Sequence, residues 1–211
     1  MNVTSSNSVQ ILLLIGALTL VPAALFTITG FTRILIVLGF IRTAIGTAGA
    51  PPNQVLVGIA LFLTIFVMTP TINAIKKVAV EPLTHHQITT TQALKRAEVP
   101  MRQFMFANTR PEDIQLFITL AHDPEPHTRA QVPTVVLIPA FIVSELKTAF
   151  EIGFLIFLPF LIIDLIVSST LMSMGMIMLP PVFISLPFKI LLFVLVDGWD
   201  LVTRSLVASF H

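Results

Sequence analysis

Apolar residues run from Ile11 to Phe26 and on through ITGFTRILIVLGFI to Ile41, a stretch far longer than one bilayer crossing needs. Pro22 and Gly30 can break or bend it, so it reads as one crossing with an amphipathic extension or as two helices. The run from Val55 to Ile75 holds no charge and is the cleanest spanning segment; the turn-like GTAGAPPNQ, residues 46–54, precedes it. Polarity then rises sharply between Lys76 and Pro133, where seven basic and six acidic residues fall. Within this insert, residues 91–107 are rich in helix formers, and PEDIQLFITLA opens on Pro, Glu and Asp, as a helix start prefers. HDPEPHTRAQVP reads as a loop. From Val135 to Phe210 the chain is almost continuously apolar again.

Three regions follow: 1–75, apolar helical segments; 76–133, a polar helical insert; and 134–211, apolar helical hairpins. LMSMGMIMLPP (171–181) joins two apolar segments of the last region, with Met172, Met174, Met176 and Met178 at every second position around Gly175. Alternate residues diverge on a helix but share one side of an extended segment, and Pro180 and Pro181 disfavour helix continuation. The expectation is a helix end running into an extended row of thioethers, which repack readily around objects of different shape. The competing reading is an ordinary lipid or core contact.

Composition narrows the class. Of 211 residues, 55% are hydrophobic and 11% charged, with a mean hydropathy of +0.93, which indicates a membrane protein or a membrane-embedded assembly. A net charge of +1 offers no basic stripe for nucleic acid, and with no cysteine there is neither a disulfide nor a thiolate metal site. No Lys or Arg precedes the first apolar run, so that run is expected to be retained rather than cleaved as a signal peptide. Arg33 and Arg42 flank the connection between the first two runs, an arrangement that places this connection on the cytoplasmic side and the long insert outside.

The last region carries charges inside apolar sequence: Glu145, Lys147, Glu151, Asp164 and Lys189. One charge facing lipid at the bilayer centre costs roughly 2.5–3.5 kcal/mol, so these helices are expected to face protein or water. Lys147 and Glu151 are four apart and can meet on one helix face. Glu145 has no helical neighbour of opposite sign, and Lys189 beyond the methionine stretch is its expected partner, within or between subunits.

Enzyme chemistry finds little support. Asp164 and Asp197 sit on separate apolar segments but lack a GxGD context, and His85, His86, His122 and His127 lack metal-ligand spacing. No phosphate-binding, dinucleotide or GxSxG motif is present, so no cofactor is expected. An autonomous ion channel or carrier is the serious alternative, because Pro-interrupted helices at LIPAF and FLPFL suit a lined cavity.

Four blocks, FTRILIVLGFIRTAIGT, PPNQVLVGIALFLTIFVMTP, IPAFIVSELKTAFEIGFLIFLPFLIIDL and MGMIMLPPVFISLPFKILLFVLVDGWDLV, closely resemble the FliP family of flagellar type III export-gate proteins, called SctR in injectisomes. The FTRI and VDGW wording is more flagellar than injectisome. The resemblance implies an all-α fold of membrane-associated helical hairpins that assemble, five copies with FliQ and FliR, into a superhelical channel for unfolded proteins. FlhB and FlhA are implied neighbours, and the implied location is the flagellar basal body in the bacterial inner membrane, with the insert extracytoplasmic. The family's methionine gasket falls on Met176, Ile177 and Met178, with Met174 adjoining and Met172, Gly175, Pro180 and Pro181 framing it. Ile177 stands where relatives often have a third consecutive methionine. The family's polar subunit contact falls on Glu145 and Lys189, and Arg33, Lys147, Glu151 and Asp164 join them as candidate polar contacts.

Overall fold

The computed structural model describes residue 16 and residues 26–47, 49–122, 126, 128–176 and 178–210, and among these it is all-helical. The leading run from Ile11 lies mostly outside the described residues, as do Ile177 and His127. Helix α1 (Phe31–Ile45) begins directly after Gly30, so the long first run does contain a helix boundary there. Its Ile34, Val37, Leu38, Ile41, Ala44 and Ile45 are all buried, a stripe at three- and four-residue spacing that makes α1 the hub of the core. Gly46 ends α1 with φ 80°, a left-handed conformation that costs an L side chain but not glycine.

Helix α2 (Asn53–Ile75) does not stop where the polar insert begins. It continues through a π-helical turn (Lys76–Val80) and a final α-helical turn (Glu81–Thr84), and the joined helix is 32 residues long. The charge change at Lys76 alters which surroundings the helix meets, not its backbone. The two insert helices form at the expected positions, α3 (Thr90–Ala107) and α4 (Pro111–Ala121). At the start of α3, Thr89 accepts from the Gln92 amide while the Gln92 side chain accepts from the Thr89 amide. That reciprocal cap satisfies two backbone donors that would otherwise be orphaned.

Helix α5 (Thr134–Ser173) is continuous for 40 residues, about 60 Å at 1.5 Å per residue and twice the thickness of a hydrocarbon layer. The expected breaks at LIPAF and FLPFL do not occur, since Pro139 and Pro159 both lie within this helix. An interior proline removes one hydrogen bond without having to end a helix, and α1 and α4 both pack along α5. Helix α6 (Pro181–Leu195) folds back against α5, and α7 (Gly198–Ala208) follows after a 64° bend. The bend passes through Asp197, which takes a left-handed φ of 49°. A Cβ on Gly198 would lie 2.3 Å from two atoms of the Phe193 ring, so the VDGW turn admits only glycine there without displacing that ring.

Two helices, α2 with its extension and α5, are long and apolar enough to cross a membrane, and α6 with α7 makes a third if the bent pair counts as one span. Large apolar side chains face outward along them, among them Phe62, Phe66, Phe154, Leu155 and Leu165. Such a surface needs lipid or further protein to cover it.

Candidate functional site

Three charged clusters tie the helices together, and none has the pairing that sequence spacing suggested. The deepest centres on Arg33, 2% exposed, and Glu145, 1% exposed. Arg33 donates from Nε to Glu145 Oε2 at 3.0 Å and from Nη2 to Oε1, a two-pronged contact in which both carboxylate oxygens are engaged. Its other N–H groups reach the Ser209 carbonyl (2.6 Å), Ser209 Oγ (3.0 Å) and Asn108 Oδ1 (3.3 Å). Phe210 lies over the guanidinium, its ring centre 3.9 Å from Cζ. Five donors thus meet five acceptors, drawn from α5, the end of α3 and the end of α7, while α1 supplies the arginine.

This arrangement corrects two expectations. Glu145 does not pair with Lys189 within the chain, because Arg33, 112 positions away in sequence, already holds both its oxygens. Nor does Arg33 belong to a loop, so its charge says nothing about which side of the membrane that loop faces; of the two arginines only Arg42, at the last turn of α1, flanks the connection.

Lys189, 3% exposed, meets Asp164 instead, Nζ to Oδ2 at 2.5 Å. Ser185, one turn before the lysine on α6, donates to the other oxygen, Oδ1, at 2.6 Å. The ammonium also approaches the C-terminal end of α1, where a Cβ on Gly46 would be 3.6 Å from Nζ. The negative pole of that helix favours a cation there. Exchange of the pair tests it: Asp164→Lys or Lys189→Asp alone is expected to cost about 2–3 kcal/mol, below the usual loss for a fully buried pair because Asp164 is 28% exposed. The double exchange D164K/K189D should recover part of that loss in detergent unfolding curves; a double variant as unstable as the sum of the singles would refute the pairing.

The third cluster holds α4 to α5. Arg110 Nη2 meets Glu151 Oε2 at 2.5 Å, so Glu151 pairs across helices rather than with Lys147, which is exposed. Buried Ser144 accepts from the Arg110 amide at 3.0 Å and donates to Asp113 Oδ2 at 2.5 Å. Among the described residues no buried side-chain nitrogen or oxygen lacks a partner.

With its buried charges paired internally, the chain leaves the tip of the α5–α6 hairpin open. Helix α5 ends in paired backbone bonds, Gly175 N–H to the Met172 carbonyl and Met176 N–H to the Leu171 carbonyl, both 3.0 Å, with Gly175 at φ 76°. The methionines therefore do not form one extended row. Met172 lies in the last helical turn, Met174 caps it, and only Met176 and Met178 belong to the loop, because the left-handed glycine closes the helix one residue after Met174. Met172, Met174 and Met178 are 67%, 65% and 96% exposed. Pro180 precedes α6 and Pro181 occupies its first position, where a proline has no helical hydrogen bond to lose. Between the two limbs runs an apolar cleft of about 440 Å³, bordered by Ile163, Val167, Leu171, Ile184 and Phe188.

The Asp164–Asp197 dyad gains nothing from the structure. Asp164 is committed to Lys189 and Ser185, while Asp197 is exposed at the α6–α7 bend. Among the described residues no group of three His, Cys, Asp or Glu side chains could hold a metal ion.

The profile of the FliP family matches residues 14–206. The chain belongs to the FliP family. It is 54% identical over 205 residues to the flagellar biosynthetic protein FliP of Bacillus subtilis, covering 97% of this chain and 93% of that one. The protein of the same name from Pectobacterium carotovorum is 55% identical over 204 residues, covering 97% and 79%. That of Caulobacter vibrioides is 52% identical over 203 residues, covering 96% and 76%. Within this FliP-family chain, sequence reasoning had singled out Arg33, Glu145, Asp164, Glu151 and Lys189 but overlooked Asn108, Arg110, Ser144, Ser185, Ser209 and Phe210. Small polar residues inside apolar helices, such as Ser144 and Ser185, were the available signal.

Proposed function

We propose that this chain is a structural, non-enzymatic subunit of the flagellar type III protein export gate in the bacterial cytoplasmic membrane, at the flagellar basal body. Copies of it, five by resemblance, join FliQ and FliR, with FlhB and FlhA nearby, around a path for unfolded flagellar proteins. The insert from Lys76 to Pro133 faces the extracytoplasmic side. Membership of the FliP family, whose relatives bear the name flagellar biosynthetic protein, supports the setting. The observation that carries the reading is the methionine-bearing tip: a chain that satisfies its buried charges leaves three large thioethers exposed at the turn of its longest hairpin. In a ring of such tips, Met174, Met176, Ile177 and Met178 close the path to ions by apolar packing. Their unbranched side chains rearrange when a polypeptide enters.

The test is the triple change of Met174, Met176 and Met178 to Ala. Assembly is expected to survive, since the Arg33 and Lys189 clusters are untouched, while membranes holding the complex become leaky to ions or small solutes. Unchanged conductance with the triple variant assembled removes the gasket. Reconstitution of the chain alone separates this reading from an autonomous channel or carrier, because the export-gate reading requires partner subunits for activity.

A further inference from the structure

We propose that Lys147 of one copy pairs with Asp197 of the next, head to tail, in the assembled complex. The pairing rests on the export-gate reading above for the existence of a multi-copy assembly, and it names a contact that builds it. Among the described residues of the apolar helices, every other charged side chain is already served within the chain. Arg33 holds Glu145, Lys189 holds Asp164, Arg110 reaches across to Glu151, and Arg204 meets Asp200 one turn away on α7. Arg42 donates to the Asn53 side chain and to the Pro51 carbonyl. Lys147 and Asp197 remain, one of each sign, and neither side chain makes an ion pair or a hydrogen bond. The acid nearest to Lys147 in sequence at helical spacing, Glu151, is taken by Arg110.

Each of the two charges stands in apolar surroundings that the chain by itself leaves uncovered. On α5, Phe150 and Phe154 follow Lys147 at spacings of three and four, share its face and point outward. Around Asp197, Leu195, Val196 and Leu201 do the same. Lipid would cover these apolar groups but would leave both charges without a partner, which is costly in hydrocarbon. A second copy covers the apolar groups and serves both charges at once. The backbone of Asp197 points the same way. It occupies the position before α7, where an aspartate ordinarily accepts from the first helical N–H groups, yet it makes no such cap and takes a left-handed φ of 49°. A strained aspartate that caps nothing at its own helix is accounted for by a partner outside its chain. Because cation and anion lie on different elements, the contact joins two unlike patches, and each copy gives its Lys147 to one neighbour and its Asp197 to the other. A closed set of copies then leaves neither charge unpaired. Leu155 and Ile156 border the same cavity as Val196 and Gly198, so Lys147 stands about 12 Å along α5 from the level of Asp197. Hairpins inclined to the assembly axis, together with the four-carbon lysine stem, span that offset.

The chain has no cysteine, so introduced thiols are the only ones it carries. Chains with Lys147→Cys are produced together with chains with Asp197→Cys and with the partner subunits, and the membranes are treated with a short bis-maleimide. A cross-linked dimer is expected from the mixture in excess of that from either variant alone, and the K147C/D197C chain should give a ladder above the dimer. No such excess, or a ladder that stops at the dimer, overturns the head-to-tail pair. Charge exchange is the second arm. Lys147→Asp or Asp197→Lys alone is expected to lower the yield of multi-copy complex in mild detergent at least about tenfold, because each sets like charges face to face. Both side chains are exposed in the chain, so its own unfolding midpoint should stay close to that of the parent. The double exchange K147D/D197K restores opposite signs and should recover most of the yield; a double variant no better than the singles overturns the pair. Single variants that assemble as the parent does overturn the pair and leave the export-gate reading in place. A parent that yields only single chains beside its partner subunits overturns both.

Discussion

Replacing Arg33 by Met is expected to destabilise the folded chain by about 3–5 kcal/mol, the loss that follows when one partner of a buried ion pair is removed. Coulomb attraction is not the main reason. Glu145, at 1% exposure, would lose the donors that hold both its oxygens and would have to stay charged without a partner or take up a proton, and Asn108 and Ser209 would each lose the guanidinium N–H they accept. Arg33→Lys should also fail in large part, because one ammonium on a flexible stem cannot serve two carboxylate oxygens, an amide and a serine at once. The double change R33M/E145L removes both charges together. It is expected to recover at least half of the single-variant loss, since a buried pair replaced by apolar side chains of similar volume is often nearly neutral. Unfolding midpoints of the chain in mild detergent measure this, and swimming of cells dependent on each variant reports the consequence for flagella. An Arg33→Met chain within about 0.5 kcal/mol of the parent would show that the cluster does not hold the four helices together.

Gly153→Val should prevent α1 from seating on α5. The path of α5 past α1 leaves no room at this position: an added Cβ would lie 2.4 Å from Cδ2 of Phe40, 2.6 Å from Cγ and 3.1 Å from Cβ. The last distance matters most, because Phe40 Cβ is fixed to its backbone and moves only if α1 moves. Ring rotation is limited as well, since Phe40 meets Phe150 edge-on with centres 5.5 Å apart. For Gly153→Ala, helix propensity contributes about 1 kcal/mol in favour of Ala, and forced overpacking opposes it by roughly 1–3 kcal/mol. The net is a loss, and the β-branched Val adds two methyl groups to the same gap. The expected result is an Ala variant that assembles with a lowered unfolding midpoint and a Val variant that yields no complex of native mass after detergent extraction. Phe40→Leu in the Ala background should raise the midpoint again. A Gly153→Val chain that assembles normally would mean that the two helices are not in this contact in the working complex.

The part of the structure legible in the sequence was the part governed by neighbours along the chain. Residues 91–107 and the segment from Pro111 were readable as helices because caps, first-turn acids and helix formers act within a turn or two. The tip between Leu171 and Pro181 was readable as a helix end for the same reason, although the left-handed Gly175 moved the boundary past Met172. The rise in polarity at Lys76 is not a helix end, since polarity marks the surroundings a helix meets and backbone hydrogen bonding marks where it stops. Pro139 and Pro159 misled because an interior proline weakens a helix without having to end it, and α5 runs unbroken through both.

The pairing of charges was beyond the reach of sequence spacing. A helical spacing rule extends three or four residues, whereas Arg33 and Glu145 are 112 apart, Arg110 and Glu151 are 41 apart, and Asp164 and Lys189 are 25 apart. Sequence alone determined that charges in apolar helices had to be shielded from lipid, because the cost of burying an unpaired charge is the same in any fold. Only the tertiary structure decided who shields whom, because partner choice depends on which helix faces meet, and those faces are set by the Phe40–Gly153 contact, the α1 stripe and the fold-back of α6, none of them local. The same division holds at the methionine tip: the residues fixed that a soft, apolar turn would exist, and the packing of the rest of the chain decided that it would be left uncovered.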